Sequence, residues 1–300
     1  MTTGFEVVCV GESMALVTPD PPAPLALGGP MRLDVAGAES TVACYLAMLG
    51  VRSAWAGRVG ADPLGTLLRT RIASYGVDTS LVAVDPAAPT GVFFKDPGER
   101  TAVYYYRTGS AASRLGPDLL PSLSGIVHVS GITPALSSSC ADLVEQVLAS
   151  PLTTSFDVNY RPALWPVAIA APVLRRLANR ADLVFVGLDE ARTLWDVASG
   201  ADVRAMLPDP GVVVVKDGGV GAYSYGPAGT SFAAAPAVDV VEPVGAGDAY
   251  AAGYLYGRLR DRPEVQRLRL GHLVAGAALR VTGDVGDLLP IGDLLASVEE

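Results

Sequence analysis

Cysteine and histidine are scarce in this 300-residue sequence. The three cysteines, Cys9, Cys44 and Cys140, are odd in number, far apart and set among apolar neighbours. This pattern is typical of buried reduced thiols rather than of a disulfide framework, so we predict a cytoplasmic protein. Only His128 and His272 are present, which makes a histidine-based metal centre hard to build.

Long apolar segments are also lacking. No run reaches the roughly 18 residues that a membrane-spanning helix needs, and the segment 165–174 is interrupted by Pro166 and Pro172. The first twelve residues carry no basic residue before their apolar run, so we expect no secretory signal. The sequence predicts a soluble protein without a membrane partner.

Basic residues are outnumbered, with 22 lysines and arginines against 31 acidic residues and a net charge of -9. Such a surface repels polyanions, which argues against a nucleic-acid partner. A phosphate or carboxylate would therefore be held by a local pocket. Half of the residues are hydrophobic, which is enough for a core on both faces of a sheet.

The main pattern along the chain is alternation between short apolar strands and longer helices. The predicted strands are rich in β-branched residues and cover 7–10, 125–129, 154–157, 183–186 and 212–215. The predicted helices lie between them at 40–49, 63–75, 137–148, 167–178 and 189–195. This order predicts an α/β fold with a doubly wound, mostly parallel sheet.

Three segments interrupt this alternation and predict a small β-sheet at the edge: 31–35, 90–96 and 101–107, with a hairpin turn at 96–99. We expect one domain over 1–300, with a β lid formed near 13–18, 31–36, 53–58 and 90–107. Such a sheet can cover a substrate or serve as an oligomeric edge, and the sequence leaves both open. A homodimer or higher homo-oligomer would form through this lid.

Residues 240–253 predict a strand end, a glycine turn and the start of an apolar helix. Gly245, Ala246 and Gly247 would let the backbone approach a ligand, and the first free amides of the helix would form an anion site. Asp248 follows in the first helical turn, where the macrodipole favours an ionised carboxylate. It is placed to accept a proton from a hydroxyl that attacks a phosphoryl group. Taken alone, this short motif fits a helix cap better than a catalytic site.

Several other nucleotide and hydrolase motifs are missing. No Gly-x-x-x-x-Gly-Lys-Ser/Thr loop occurs, so ATP would not be bound through a Walker-type loop. The first strand is followed by Gly11, Glu12 and Ser13 rather than by a Gly-x-Gly-x-x-Gly turn, which argues against a nicotinamide cofactor. A Gly-x-Ser-x-Gly elbow is absent as well.

Two arginines stand at predicted strand ends beside residues that can bind sugar hydroxyls. Arg107 follows Tyr105 and Tyr106, and Arg161 follows Asn159. Arginine offers a planar fork that matches a carboxylate or a phosphate. The alternative for either arginine is a surface ion pair with one of the many acidic residues.

Three segments together resemble the ribokinase-type carbohydrate kinases of the PfkB family: 35–50, 57–65 and 242–253. The resemblance spans nearly the whole chain. It implies a ribokinase-like fold and ATP-dependent phosphorylation of a sugar, with Asp248 as the catalytic base and residues 245–247 as the anion hole.

Within this family, segments 103–111, 130–136 and 157–161 are most similar to the 2-keto-3-deoxygluconate kinases. The resemblance implies phosphorylation of a primary hydroxyl of that sugar acid, with magnesium. The implied substrate-binding residues are Gly37, Tyr105, Tyr106, Arg107, Arg161 and Asp248. A fructokinase-like enzyme for neutral sugars and a non-catalytic sugar or nucleotide-binding regulator are the alternatives.

Segment 213–222 resembles the strand and glycine turn that lie over ATP in this family, and the resemblance implies that the nucleotide binds there. The implied nucleotide-binding residues are Asn159, Arg161, Lys216, Gly218, Gly221, Gly245, Gly247 and His272. Glu190 is the implied magnesium ligand, in a motif whose usual asparagine is Gly187 here. Phe93 also stands where these kinases can have a substrate-facing tyrosine.

Overall fold

The computed structural model describes residues 4–98 and 102–299. In chain order the strands are β1 (Val7–Val10), β2 (Met14–Pro19), β3 (Met31–Ala36), β4 (Ser53–Ala56), β5 (Arg58–Gly60), β6 (Ala83–Asp85), β7 (Val92–Asp96), β8 (Ala102–Tyr106), β9 (Ile126–Ser130), β10 (Thr153–Asp157), β11 (Leu183–Gly187), β12 (Val212–Asp217), β13 (Gly221–Gly226) and β14 (Gly229–Ala234). The α-helices are α1 (Ala38–Met48), α2 (Pro63–Ser74), α3 (Ser138–Ala149), α4 (Val167–Ala178), α5 (Leu188–Trp195), α6 (Gly200–Met206), α7 (Ala246–Leu259), α8 (Glu264–Ala278) and α9 (Ile291–Glu299).

The large sheet has the strand order β14-β13-β12-β11-β10-β9-β1-β4. From β4 to β12 every neighbouring pair is parallel, and β13 and β14 add an antiparallel hairpin at one edge. The predicted doubly wound, mostly parallel sheet is therefore confirmed. Each strand and helix predicted for it lies within two residues of the observed element.

Alternation along the strands supplies two cores, one on each face of the sheet. In β1, Val7 and Cys9 belong to the core that also contains the buried sides of α1, α7 and α8. Val8 and Val10 belong to the opposite core, with residues of α3 and α4. Burying each such valine stabilises the fold by roughly 1.5–3 kcal/mol, which explains why the strand reads as a continuous apolar run.

The lid is a second sheet, with the strand order β3-β2-β7-β8. Its inner face carries a small apolar cluster of Met14, Leu16, Ala36 and Phe93. Its outer face is partly exposed. The lid lies over the carboxyl edge of the large sheet, where ligands bind in open α/β folds.

Two details of the lid differ from the prediction. Ser53–Ala56 forms β4 of the large sheet, parallel to β1, because Trp55 and its neighbours are fully buried there. Arg58, the last residue of the predicted lid segment 53–58, begins β5, which pairs with β6 instead of with the lid. The hairpin predicted at 96–99 ends outside the described residues, which stop at 98 and resume at 102.

The predicted strand end before the glycine turn was wrong, because Val240 and Val241 are exposed and lie outside any strand. Cys9, Cys44 and Cys140 are buried thiols, and no disulfide joins cysteines in the described part of the chain. Across residues 4–98 and 102–299, no helix is long and apolar enough to cross a membrane.

Candidate active site

A cavity of about 1060 Å³ lies between the lid and the carboxyl edge of the large sheet. Its position follows from the fold, because β10, β11 and β12 all end at this edge and α7 begins there. The cavity brings together most of the predicted site residues, namely Gly37, Tyr105, Arg107, Asn159, Arg161, Glu190, Lys216, Gly218, Gly221, Gly245, Ala246, Gly247, Asp248 and His272.

Tyr106 is the exception, and its predicted place in the substrate site was wrong. Successive residues of a strand point to opposite faces. Tyr105 lies on the inner face of β8, with its ring 5.6 Å from Phe93. Tyr106 lies on the outer face, 68% exposed, and packs edge-on against Phe94.

The glycine turn, residues 245–247, is held in a conformation that favours glycine. Gly245 has φ +80°, and a Cβ atom there would lie 3.0 Å from the carbonyl oxygen of Asp284. α7 begins at the next residue, so its first amides face the cavity. Free amides at a helix start bind anions readily, so this turn can hold a phosphate without a basic side chain of its own.

Asp248 lies in the first turn of α7 and is 7% exposed. The side-chain amide of Asn159 donates a hydrogen bond to its Oδ1 atom at 2.9 Å. Asn159 itself has φ +41°, a conformation that asparagine tolerates better than most residues. The loop after β10 therefore positions the carboxyl group of Asp248 inside the cavity.

The pKa of Asp248 is raised to about 7, first by burial and then by the nearby charge of Asp157. Arg161 and Lys216 lower it only in part. Burial thus opposes the helix dipole, which favours the ionised carboxylate. A pKa near neutrality is what a general base at neutral pH requires.

A second group of charges lies at the ends of β10, β11 and β12. Lys216 Nζ lies 2.7 Å from Asp157 Oδ2, and Arg161 Nη1 lies 3.5 Å from Glu190 Oε1. Burial lowers the pKa of Lys216, but Asp157 and Glu190 outweigh it and raise this pKa overall. The ammonium also approaches the glycine turn, 3.2 Å from where a Cβ of Gly247 would lie.

Glu190 has a structural role that competes with metal binding. Its Oε2 accepts a hydrogen bond from the backbone N–H of Gly187 at 3.0 Å, which caps the start of α5. In the part of the chain that the structure describes, no group of three acidic, histidine or cysteine residues could hold a metal alone. Magnesium needs only one or two carboxylates when phosphates and waters complete its shell, so Glu190 fits a metal that arrives with a nucleotide.

The lid end of the cavity contains a buried arginine. The Arg107 side chain is 10% exposed, and its guanidinium lies over the ring of Tyr105, 5.2 Å from the centroid. Its Nε lies 3.1 Å from Glu12 Oε2, yet at an angle unsuited to a hydrogen bond. Among the described residues, neither Nε nor Nη2 has a hydrogen-bond acceptor. Buried donors without acceptors are suited to a ligand carboxylate.

The opposite end is apolar and contains His272. Val238, Ala275 and Leu279 line it together with the glycines after β12. The Nε2 atom of His272 is 3.1 Å from the carbonyl oxygen of Ala233, so this nitrogen carries the proton. Burial lowers the pKa of His272, which favours the neutral ring.

Six polar residues of the cavity were not among the predicted site residues: Glu12, Lys95, Asp157, Asp189, Tyr250 and Asp284. Asp284 is buried, its Oδ1 has no partner within the described ranges, and burial raises its pKa to about 7. Glu12 follows β1 at the point where the strand order reverses, a position that could have identified it. Lys95 and Asp284 belong to no motif, and only the fold brings them here.

A doubly wound sheet whose strand ends face a glycine turn, a buried carboxyl group and several cations has the parts of a phosphoryl-transfer enzyme. The chain matches the family described as pfkB family carbohydrate kinase over residues 5–291, and it belongs to this family.

Known proteins of similar sequence carry a more specific name. The chain is 36% identical to a 2-dehydro-3-deoxygluconokinase of Thermoproteus tenax over 94% of its length and 90% of that protein. It is 34% identical to a 2-dehydro-3-deoxygluconokinase of Bacillus subtilis, with 98% and 95% covered. The crystal structure of a PfkB protein from Polaromonas sp. JS666 superposes with a TM-score of 0.88, at 32% identity, over 98% of this chain and all of that one.

Proposed function

We propose that this protein is a 2-dehydro-3-deoxygluconokinase, which transfers the γ-phosphate of ATP to a primary hydroxyl of 2-keto-3-deoxygluconate. The observation that carries this proposal is the pairing of two features in one cavity. Asp248 faces the glycine turn, and Arg107 presents buried donors beneath the lid. A sugar acid needs such a cation for its carboxylate, whereas a neutral sugar does not.

At the sugar end, Arg107 would bind the carboxylate of the substrate, with Tyr105 beside it. Glu12 balances the charge of the guanidinium without hydrogen-bonding to its Nε. The backbone of Gly37 packs closely against that of Glu12, since a Cβ on Gly37 would lie 2.4 Å from the carbonyl oxygen of Glu12. This packing brings the start of α1 against the loop after β1, at the sugar end of the cavity.

In the reaction, Asp248 would take the proton of the accepting hydroxyl on Oδ2, because Asn159 occupies Oδ1. The hydroxyl oxygen forms a bond to the γ-phosphorus, and the bond from that phosphorus to the bridging oxygen of the β-phosphate breaks. ADP then leaves with the negative charge. The amides of the glycine turn, with Arg161 and Lys216, would neutralise the charge that develops on the phosphoryl group.

The nucleotide would lie against Gly218 and Gly221, with its base near His272 and the apolar residues of α8. Magnesium, held by Glu190 and the phosphates, would supply further charge neutralisation when bound. We also propose a cytoplasmic location, supported by the buried thiols, and a homo-oligomer formed through the lid, whose outer face exposes Leu33, Tyr104 and Tyr106.

An ATPase-coupled assay on a panel of sugars and sugar acids tests whether the protein is a kinase at all. We expect ADP formation with 2-keto-3-deoxygluconate, abolished by Asp248→Asn. Tight sugar or nucleotide binding without turnover on any member of the panel would instead identify a non-catalytic regulator.

A further inference from the structure

Lys95 is a buried cation that the proposed reaction does not use. It lies on the inner face of β7 in the lid, and its side chain is 4% exposed. Its ammonium lies 2.7 Å from Glu242 Oε1 and donates a hydrogen bond to the carbonyl oxygen of Thr282 at 3.1 Å. Both partners belong to the body of the protein, so this side chain joins the lid to the body.

The two partners of Lys95 lie on the two loops that hold the glycine turn. Glu242 comes three residues before Gly245 in the loop that leads into α7. Thr282 comes two residues before Asp284, whose backbone packs directly against Gly245. A single ammonium group from the lid therefore connects to the loops on both sides of the turn.

The lid also contacts the second loop through a hydrogen bond that is more exposed. Arg32 of β3 donates a hydrogen bond to Thr282 Oγ1 at 2.8 Å, in a solvent-exposed place. Exposed contacts of this sort contribute little. A buried ion pair such as Lys95 with Glu242 adds little stability compared with apolar residues, but it fixes geometry, because displacing either charge leaves the other buried alone.

We propose that Lys95 is a positioning residue, which holds the glycine turn in its phosphate-binding geometry when the lid lies over the cavity. The proposal rests on the proposed role of that turn. Lys95 would link the sugar end of the cavity to the glycine turn, because β7 pairs with β8 and Arg107 follows β8 directly. A sugar acid bound by Arg107 would hold the lid down, and Lys95 would then fix the turn for phosphoryl transfer.

Four variants test this role: Lys95→Met, Glu242→Gln, the double variant Lys95→Met/Glu242→Gln, and Lys95→Arg. Arg260→Met serves as a control, because it removes an ion pair with Glu6 away from the cavity. For each protein we would measure kcat, both KM values, Tm and hydrogen exchange at the amides of residues 244–248. Turnover is followed with whichever sugar the wild type phosphorylates, so failure on 2-keto-3-deoxygluconate alone contradicts the proposed substrate and not the role of Lys95.

We expect Lys95→Met to lower kcat about 10- to 100-fold with both KM values within about threefold, because a small displacement of the turn weakens only transition-state contacts. The double variant should regain Tm but not kcat, and the amides of its glycine turn should exchange faster than those of the wild type. Lys95→Arg should recover part of kcat. Arg260→Met should match the wild type in turnover. A double variant with wild-type kcat and wild-type exchange would overturn the proposal, because Lys95 would then only neutralise Glu242.

Discussion

At the scale of single residues, Asp248 is subject to two opposing demands. It must be buried to reach the accepting hydroxyl, yet it must lose its proton to act as a base. Burial raises its pKa to about 7, and the neighbouring Arg161 and Lys216 limit that rise. A carboxyl group of this kind makes the folded protein less stable as pH rises from its unfolded pKa near 4 towards 7.

Asp248→Asn should therefore lower activity and raise stability. The amide still accepts from Asn159 but takes no proton, so kcat should fall by roughly 10²–10⁴. At pH 8 the free energy of unfolding should rise by roughly 1–3 kcal/mol, since the buried charge is gone. Denaturant titrations at pH 8 and pH 5 check this, and the gain should shrink at pH 5. Near-normal turnover would remove Asp248 from the mechanism.

The pH dependence of kcat/KM reports the same group in the free enzyme. Because the base must be deprotonated, kcat/KM should rise with pH and level off above about pH 7. Lys216→Met removes a cation that lowers this pKa, so the rise should move to higher pH. If kcat/KM of Lys216→Met rises over the same pH range as that of the wild type, a group other than Asp248 controls the rise.

Arg107 should determine the preference for acidic substrates. Arg107→Ala should lower kcat/KM for sugar acids by roughly 10²–10³ and change that for neutral hexoses only severalfold, because only the acids lose a charge-assisted contact. Arg107→Lys keeps the charge without the planar fork, so its kcat/KM for sugar acids should fall between those of the wild type and Arg107→Ala. Equal losses on both substrate classes would argue against carboxylate recognition.

At the scale of elements, the glycine turn combines a left-handed residue with a close backbone contact. Gly245→Ala would meet both obstacles, φ +80° and the carbonyl of Asp284 at 3.0 Å. Gly229→Ala in the turn between β13 and β14 meets only the first, since φ is +103° and no described atom lies within 4 Å. Both should lose about 1 kcal/mol of stability or more, but only Gly245→Ala should lose most of kcat. Equal kinetic effects would argue against a specific role for the turn.

Most elements of the large sheet could be predicted because each is specified by a local pattern. A run such as Val212–Val215 is β-branched, buried on both faces and bounded by polar residues. β4 was assigned to the wrong sheet because its four residues contain no information about their partner strand. The same limit explains Tyr106, since Tyr104, Tyr105 and Tyr106 are consecutive in β8 and only the register decides which of their side chains face the cavity.

Lys95 escaped prediction because its place in the cavity depends on long-range contacts of the lid. Lys95 and Thr282 are 187 positions apart in the chain and meet only because the lid folds over the body. The motif residues were found because their spacing is local, as with Gly245 and Asp248. The pKa of Asp248 could not be foreseen, because it depends on burial and on Asp157, Arg161 and Lys216 from other loops.

At the scale of the whole molecule, an acidic protein must bind two anionic substrates. The net charge of -9 opposes this, and the cavity itself contains several carboxyl groups, so anion binding depends on individual cations, with Arg107 under the lid and Arg161 and Lys216 at the sheet edge. The cavity of about 1060 Å³ has room for a sugar acid and a nucleotide together. Substrate choice is then a property of the lid end, and phosphoryl transfer a property of the sheet edge.

The most direct test of this account is the ratio of kcat/KM values for 2-keto-3-deoxygluconate and fructose, measured with the wild-type protein, ATP and magnesium. We predict a preference of at least about 10³ for the sugar acid, because a buried guanidinium without its carboxylate partner disfavours the neutral substrate. Comparable values for the two sugars, or a preference for fructose, would contradict the assignment of a sugar-acid kinase.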